Sequence, residues 1–264
     1  MSTPFTTRQA LKSYPLWDVM KERRIPITFD IEITARCNNR CRHCYINLPA
    51  GDRRAEDAEL TAGEIVHIAE QAKNLGALWC LITGGEPLLR KDFPEIYQQI
   101  RNMGILTSVF TNACLITEEH IELFREYPPR DIEVTVYGAT KETYERVTRR
   151  KGSYHAFRRG LDLLLQNDIR VRLKAMVIRS NIHELPEISA FCRHYTKDMY
   201  RFDPVLHKRY DRDPGRNREI EEERLTAEEV VRVEQADTER SMALIRNCDE
   251  LIRPALHSNE NHLF

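Results

Sequence analysis

Ile27-Thr28-Phe29-Asp30-Ile31-Glu32-Ile33 is followed, after three residues, by Cys37-Asn38-Asn39-Arg40-Cys41-Arg42-His43-Cys44. The first stretch alternates apolar Ile27, Phe29, Ile31 and Ile33 with polar Thr28, Asp30 and Glu32, the period of a strand with two unlike faces. Outward from it, Leu78–Ile82 is a nearly continuous apolar run. Leu106–Thr111, Ile132–Tyr137, Val171–Ile178 and Met199–Pro204 complete six strand candidates. Helical stretches fall between them. Ile65, Ile68, Ala69, Ala72 and Leu75 share one helix face. Capping boxes are expected at Thr61 with Glu64, Asn181 with Glu184 and Thr226 with Glu229, where a cap hydroxyl or amide and a glutamate three residues on satisfy free amides. Strands alternating with helices give βαβ units and a parallel sheet.

The strand faces choose between architectures. Asp30 and Glu32 share a face of strand 1, and Glu133 and Thr135 a face of strand 4. Arg172 and Lys174 do so on strand 5, and Arg201 and Asp203 on strand 6. A doubly wound sheet is covered by helices on both sides and should be apolar throughout. A complete eight-stranded barrel fills its interior with branched apolar layers. One polar face on four strands of six indicates a curved sheet around a wet or ligand-filled interior. The competing reading is solvated edges or salt bridges at the strand bottoms.

The chain has 264 residues, with 40 Lys+Arg against 41 Asp+Glu and a formal net charge of −1. That balance argues against nucleic-acid binding through bulk positive charge. No uncharged run reaches the roughly 20 residues of a membrane span, and the N-terminus has no apolar signal core. A cytoplasmic protein without a membrane or nucleic-acid partner is expected. His207–Arg224 holds twelve charged residues among eighteen, with Pro214 and Gly215 in the middle, and reads as an exposed connector. Leu225–Leu256 reads as one or two helices. The expected organisation is a lead-in segment 1–26, a core 27–206, and a connector with a helical extension 207–264.

Three thiols on one loop at C-x3-C-x2-C spacing can converge on a metal, and soft thiolates select zinc or iron–sulfur. Structural zinc wants four ligands, usually in two pairs, and a second pair is absent. A cubane cluster normally takes four cysteines, so three would leave one iron open. A structural zinc remains the alternative. The second motif, Thr83-Gly84-Gly85-Glu86-Pro87, closes strand 2. Its glycines permit close backbone approach, and Glu86 is an anion at the mouth of a parallel sheet, suited to an ammonium group. Cys80 and Cys192 read as core thiols, Cys114 lies near the same mouth, and Cys248 is isolated.

Together CNNRCRHC after the first strand, GGEP after the second, and the order of elements resemble the radical S-adenosylmethionine (SAM) superfamily over roughly Pro26–Leu206. The resemblance implies a partial (β/α)6 TIM barrel of parallel strands. It implies a [4Fe–4S] cluster on Cys37, Cys41 and Cys44, whose fourth iron is chelated by SAM. Gly84, Gly85 and Glu86 become cofactor contacts, with Glu86 at the amino group. His43 stands where the family often has an aromatic residue near the adenine. Asn112 and Tyr137, after strands 3 and 4, sit where cofactor contacts are common. Lys174 could meet the cofactor carboxylate, against a salt bridge to Glu133. The implied reaction takes one electron from a low-potential donor of the flavodoxin or ferredoxin kind. It breaks the sulfonium C–S bond and yields a 5′-deoxyadenosyl radical that attacks an unactivated C–H bond.

Leu16–Arg24 reads as a short helix feeding strand 1. With the TGGEPLL run, the Tyr137–Thr143 run and the charged connector, it resembles the branch carrying a C-terminal auxiliary-cluster (SPASM) domain. The cysteine-rich segment such a domain needs does not appear, so a chain ending before it is the favoured expectation. Members of that branch commonly modify peptides or proteins. A peptide or protein substrate, met directly or through a separate recognition protein, is therefore expected. Tetrapyrrole or small-molecule cofactor biosynthesis is the alternative within enzymes; a zinc-stabilised module or inactive relative is the alternative outside them.

Overall fold

Each of the six apolar stretches pairs with the next along the chain. Strands β1 (Thr28–Glu32), β2 (Trp79–Thr83), β3 (Leu106–Thr111), β4 (Asp131–Val136), β5 (Val171–Met176) and β6 (Arg201–Asp203) form one parallel sheet in chain order. The computed structural model describes residues 24–196 and 201–246. Consecutive parallel neighbours need a crossover between them, here supplied by helices. These are α1 (Arg53–Asp57), α2 (Ala62–Asn74), α3 (Phe93–Asn102), α4 (Glu118–Glu126), α5 (Lys141–Thr148), α6 (Ser153–Gln166) and α7 (Leu185–Tyr195). Helices α8 (Pro214–Glu223) and α9 (Ala227–Ala236) follow the sheet, and residues 238–246 are also helical. The architecture is the expected α/β half-barrel with C-terminal helices.

The register explains the two faces. Ile31, Ile82, Val109, Ile132 and Val171 stand in one cross-strand row. All five are buried, in the same core as Ile65 and Ala69 of α2, Ile96 and Ile100 of α3 and Phe157 of α6. Each such side chain contributes about 1.5–3 kcal/mol by leaving water. The opposite face carries Phe110, Glu133 and Arg172 in one row and Thr135, Lys174 and Arg201 in the next. Charges there pair across strands: Lys174 Nζ lies 2.7 Å from Glu133 Oε1, and Arg172 is 3.7 Å from Asp131. The concave face is thus polar as expected, and part of its charge is spent in salt bridges.

Three readings need correction. In α2 the buried stripe is Ile65, Val66 and Ala69, while Ile68 and Leu75 are 39% and 65% exposed. The helix is rotated so that Val66, not Ile68, meets the core. Asn181 makes no capping box, because its amide donates to the carbonyls of Tyr137 and Met176. Glu184 instead accepts from the Ala139 and Thr140 amides and fixes the start of α5. The boxes at Thr61 and Thr226 form as expected. Most consequentially, the charged run after β6 is exposed over most of its length as expected, yet it is more than a connector. It forms α8 and buries Arg209, Ile220 and Glu223. The helix expected over Leu16–Arg24 and the residue Cys248 lie outside the described residues, apart from Arg24 itself. Among the described residues no helix is long and apolar enough to cross a membrane.

Candidate active site

The cysteine loop and the glycine turn are stitched together before either meets a ligand. The Gly85 amide donates to the Thr34 carbonyl at 2.6 Å, and the Glu86 amide to the Arg36 carbonyl at 2.9 Å. A Cβ on Gly84 would stand 2.3 Å from the Thr34 oxygen; one on Gly85 would stand 2.3 Å from the Arg36 oxygen. Gly84 also has φ +143°, where L side chains are strained. The two glycines are therefore demanded by the chain's own backbone. Gly85→Ala is expected to push turn and loop apart and cost about 1–3 kcal/mol, the usual penalty of overpacking. Thermal unfolding of the purified variant checks this.

A clamp secures the start of the loop. Arg36, buried immediately before Cys37, makes a bidentate pair with Glu59 at 2.8 and 3.0 Å. Arg90 donates to the carbonyls of Ile33 and Leu60, each at 2.9 Å, and pairs with Asp92. Glu59 is held below the ordinary carboxylate range despite burial, because Arg36 and Thr34 bond it. The capacity of Arg for forked bonding to a carboxylate makes this geometry possible. Sequence reading passed over the clamp, although Arg36 adjoins the first cysteine.

Cys37 and Cys41 are buried and Cys44 partly so; all three are free thiols. Burial pushes each thiol up. Mutual charge would oppose joint ionisation of Cys37, Cys41 and Cys44, while a hydrogen bond from Tyr137 favours it at Cys41. Thiols in this state ionise when a metal supplies the compensating charge. Around them Asn38 Nδ2, Asn39 Nδ2 and His43 Nδ1 are buried without a hydrogen-bond partner among the described residues. Among those residues no three Cys, His, Asp or Glu side chains gather to hold a single metal ion. The ligands of an iron–sulfur cubane attach to separate iron corners rather than meeting at one ion. The soft thiols and the unpartnered nitrogens fit such a cluster.

Asn112 joins the end of β3 to this loop. Its side-chain amide donates to Asn38 Oδ1 at 2.7 Å and lies 3.8 Å from the Cys37 sulfur. The next residue, Ala113, is left-handed at φ +59°, a strained state for a non-glycine residue. The Thr111 hydroxyl and the Asn112 amide oxygen each accept a backbone N–H there, which holds the bend. Glu86 is 0% exposed. Its carboxylate accepts from Leu88 N, the Thr111 hydroxyl and Asn112 N at 3.2, 2.7 and 2.8 Å. Burial raises it to about 7 even so. His43 is buried with its ring centroid 5.4 Å from that of Tyr137. Desolvation, with the charge of Arg216, lowers it to about 4, so the ring is neutral. Lys174 sits apart from this constellation on the concave face, with Nζ 2.7 Å from Glu133 and 3.8 Å from the Phe110 ring centre.

The sequence profile of the Radical SAM superfamily matches residues 31–192. The chain belongs to the radical SAM superfamily. It is 29% identical over 158 residues to the AdoMet-dependent heme synthase of Methanosarcina barkeri, covering 58% of this chain and 43% of that one. It is 29% identical over 167 residues to the PqqA peptide cyclase of Bradyrhizobium diazoefficiens, covering 62% and 42%. The chain therefore spans less than half the length of these relatives. Among solved structures, Streptococcus suis SuiB bound to S-adenosylmethionine shares the fold at TM-score 0.58 and 19% identity, over 84% of this chain and 51% of that one. AnSMEcpe with bound AdoMet and a peptide does so at TM-score 0.56 and 15% identity, over 73% and 57%. Membership of the radical SAM superfamily implies a [4Fe–4S] cluster and SAM. Cys114 and Cys192 are buried core thiols of this radical SAM barrel, and the Cys114 sulfur lies 3.5 Å from the Ser153 carbonyl.

Proposed function

We propose that this chain is the radical-generating barrel of a radical SAM enzyme acting on a peptide or protein. The observation that carries the reading is the three-thiol loop at the C-terminal mouth of the half-barrel, tied to the GGEP turn by two backbone bonds. Cys37, Cys41 and Cys44 would hold the cluster. The Gly84–Glu86 turn, His43, Asn112 and Tyr137 would surround SAM. When bound, these groups supply one-electron cleavage of the sulfonium and a carbon radical able to take hydrogen from an unactivated C–H bond.

The chain's own residues position and exclude. Burial of Cys37 and Cys41 keeps water from the thiols. Asn112 links loop and sheet, so that loop and turn move as one body. Glu86 holds the strand ends together from beneath, which leaves the backbone carbonyls of the turn as the groups best placed to meet an ammonium. Lys174 is engaged by Glu133, so we read it as part of the wall rather than as a partner of the cofactor carboxylate. The mixed charges of the concave face, Asp30, Glu133, Arg172 and Arg201, suit the polar backbone of a peptide.

SuiB is known bound to its precursor peptide, and other relatives are peptide cyclases, which supports the peptide reading. A heme synthase and an Fe-coproporphyrin III synthase among the relatives support tetrapyrrole chemistry as the second reading. The electron would come from a low-potential flavodoxin- or ferredoxin-like donor. The test is anaerobic reconstitution with iron and sulfide, reduction by dithionite, and chromatography for 5′-deoxyadenosine after addition of SAM. Release of 5′-deoxyadenosine is the expected result, raised further by the true substrate class. A colourless chain holding one zinc would overturn the reading.

A further inference from the structure

The charged run after the last strand packs against the back of the cysteine loop. Arg216, on α8, donates to the Cys41 carbonyl at 2.8 Å and to Asn47 Oδ1 at 3.1 Å. Arg209, only 6% exposed, reaches the Asn47 carbonyl and side-chain oxygen, each at 3.2 Å, and the Cys44 carbonyl at 3.5 Å. The pairing is reciprocal. Arg42, between the second and third cysteines, meets Glu222 at 3.0 Å and Glu223 at 2.7 Å. Arg149 at the end of α5 meets Glu219 at 2.6 Å, and Glu219 also pairs with Arg216. The half of this collar contributed by Arg209 and α8 lies beyond residue 192, where the match to the superfamily profile ends.

A carbonyl held by a guanidinium fixes the peptide planes that aim the neighbouring side chains. Arg216 therefore sets the direction of the Cys41 thiol, and Arg209 that of Cys44. Their positive charge also acts at the loop. Both guanidiniums stand against the loop itself, Arg216 2.8 Å from the Cys41 carbonyl oxygen and Arg209 3.5 Å from that of Cys44. A cluster's potential responds to nearby charge and hydrogen bonding. A cation close by favours the more negative, reduced state.

We infer that Arg216, supported by Arg209, is a positioning residue for the cluster: it locks the cysteine loop through the Cys41 carbonyl and raises the cluster's reduction potential by its charge. The inference rests on the reading that the three cysteines hold a [4Fe–4S] cluster, and the experiment separates the two. The 264-residue chain, R216Q, R216K and E219Q are reconstituted anaerobically. Iron release to a chelator and the midpoint potential from a dye-mediated titration followed by electron paramagnetic resonance are then measured. R216Q is expected to release iron about tenfold faster, the usual effect of losing a supporting contact around a metal, and to have a more negative midpoint. R216K is expected to keep the wild-type midpoint while releasing iron faster, because the charge remains and the fork does not. E219Q, which removes the anion facing Arg216, is expected to raise the midpoint, and it carries the charge test independently should R216Q lose its helical circular dichroism. Wild-type release and midpoint in R216Q would overturn the inference. So would equal midpoint shifts in R216Q and R216K, or an unmoved midpoint in E219Q. A wild-type chain that takes up no iron would overturn the cluster reading itself, and this inference with it.

Discussion

Cys41→Ala is expected to leave the chain unable to hold iron. Cys41 is one of three thiols on the loop and is 5% exposed. Its backbone is pinned by Arg216, by the Asn47 amide at 3.4 Å and by the Cys44 amide at 3.3 Å. Among the described residues, neither remaining thiol near the loop or in the core is free to replace it. The sulfur of Cys114 lies against the Ser153 carbonyl on α6, and Cys80 is sealed in the core at 2% exposure. Two thiols cannot retain a cubane against water or chelator. The check is iron content per chain and the brown thiolate-to-iron absorbance after anaerobic reconstitution. Cys114→Ala serves as the control that keeps both.

Glu86→Ala is expected to cost several kcal/mol of stability before any effect on SAM is seen. The carboxylate accepts from Leu88 N, the Thr111 hydroxyl and Asn112 N, and none of these can turn to water. Leaving a buried donor unsatisfied costs about 1–3 kcal/mol each. Thermal unfolding of the metal-free variant measures it, with Glu86→Gln losing less because it keeps shape and one acceptor. The sign of the pH dependence follows from burial. The folded carboxyl is raised from 4.5 to about 7. Its contribution to stability in the metal-free chain is therefore full below about 4.5 and is lost as pH rises through about 7. Glu86→Gln removes that fall, and an unchanged pH profile would contradict the assignment.

Much of this was legible in the residues. Alternation in Ile27–Ile33 and its counterparts marks strands, and the polar members Glu133, Arg172, Lys174 and Arg201 mark the concave face. Both follow from local periodicity, which the parallel register preserves across the sheet. Cysteine spacing and GGEP marked the candidate site. What could not be read depends on which distant segments meet. The reason for the two glycines is the backbone of residues 34–36, about fifty positions upstream. Glu86 looks like an exposed anion at a strand end, yet β3 closes over it with Thr111 and Asn112. The run from His207 has the charge density of a solvated connector and almost no apolar period. Apart from Ile220, which packs with Val147, Ile178 and Leu206, its anchoring comes from carbonyls of the cysteine loop accepting guanidinium donors, which leaves no hydrophobic signature.

The central claim is a cluster held by three cysteines with one iron corner open to SAM. Mössbauer spectroscopy of the chain reconstituted with 57Fe, recorded with and without SAM, tests it most directly. The account predicts a cubane spectrum in which a single iron subsite changes its isomer shift when SAM is added, while the others stay as they were. A spectrum indifferent to SAM, or one without cubane iron, would contradict it.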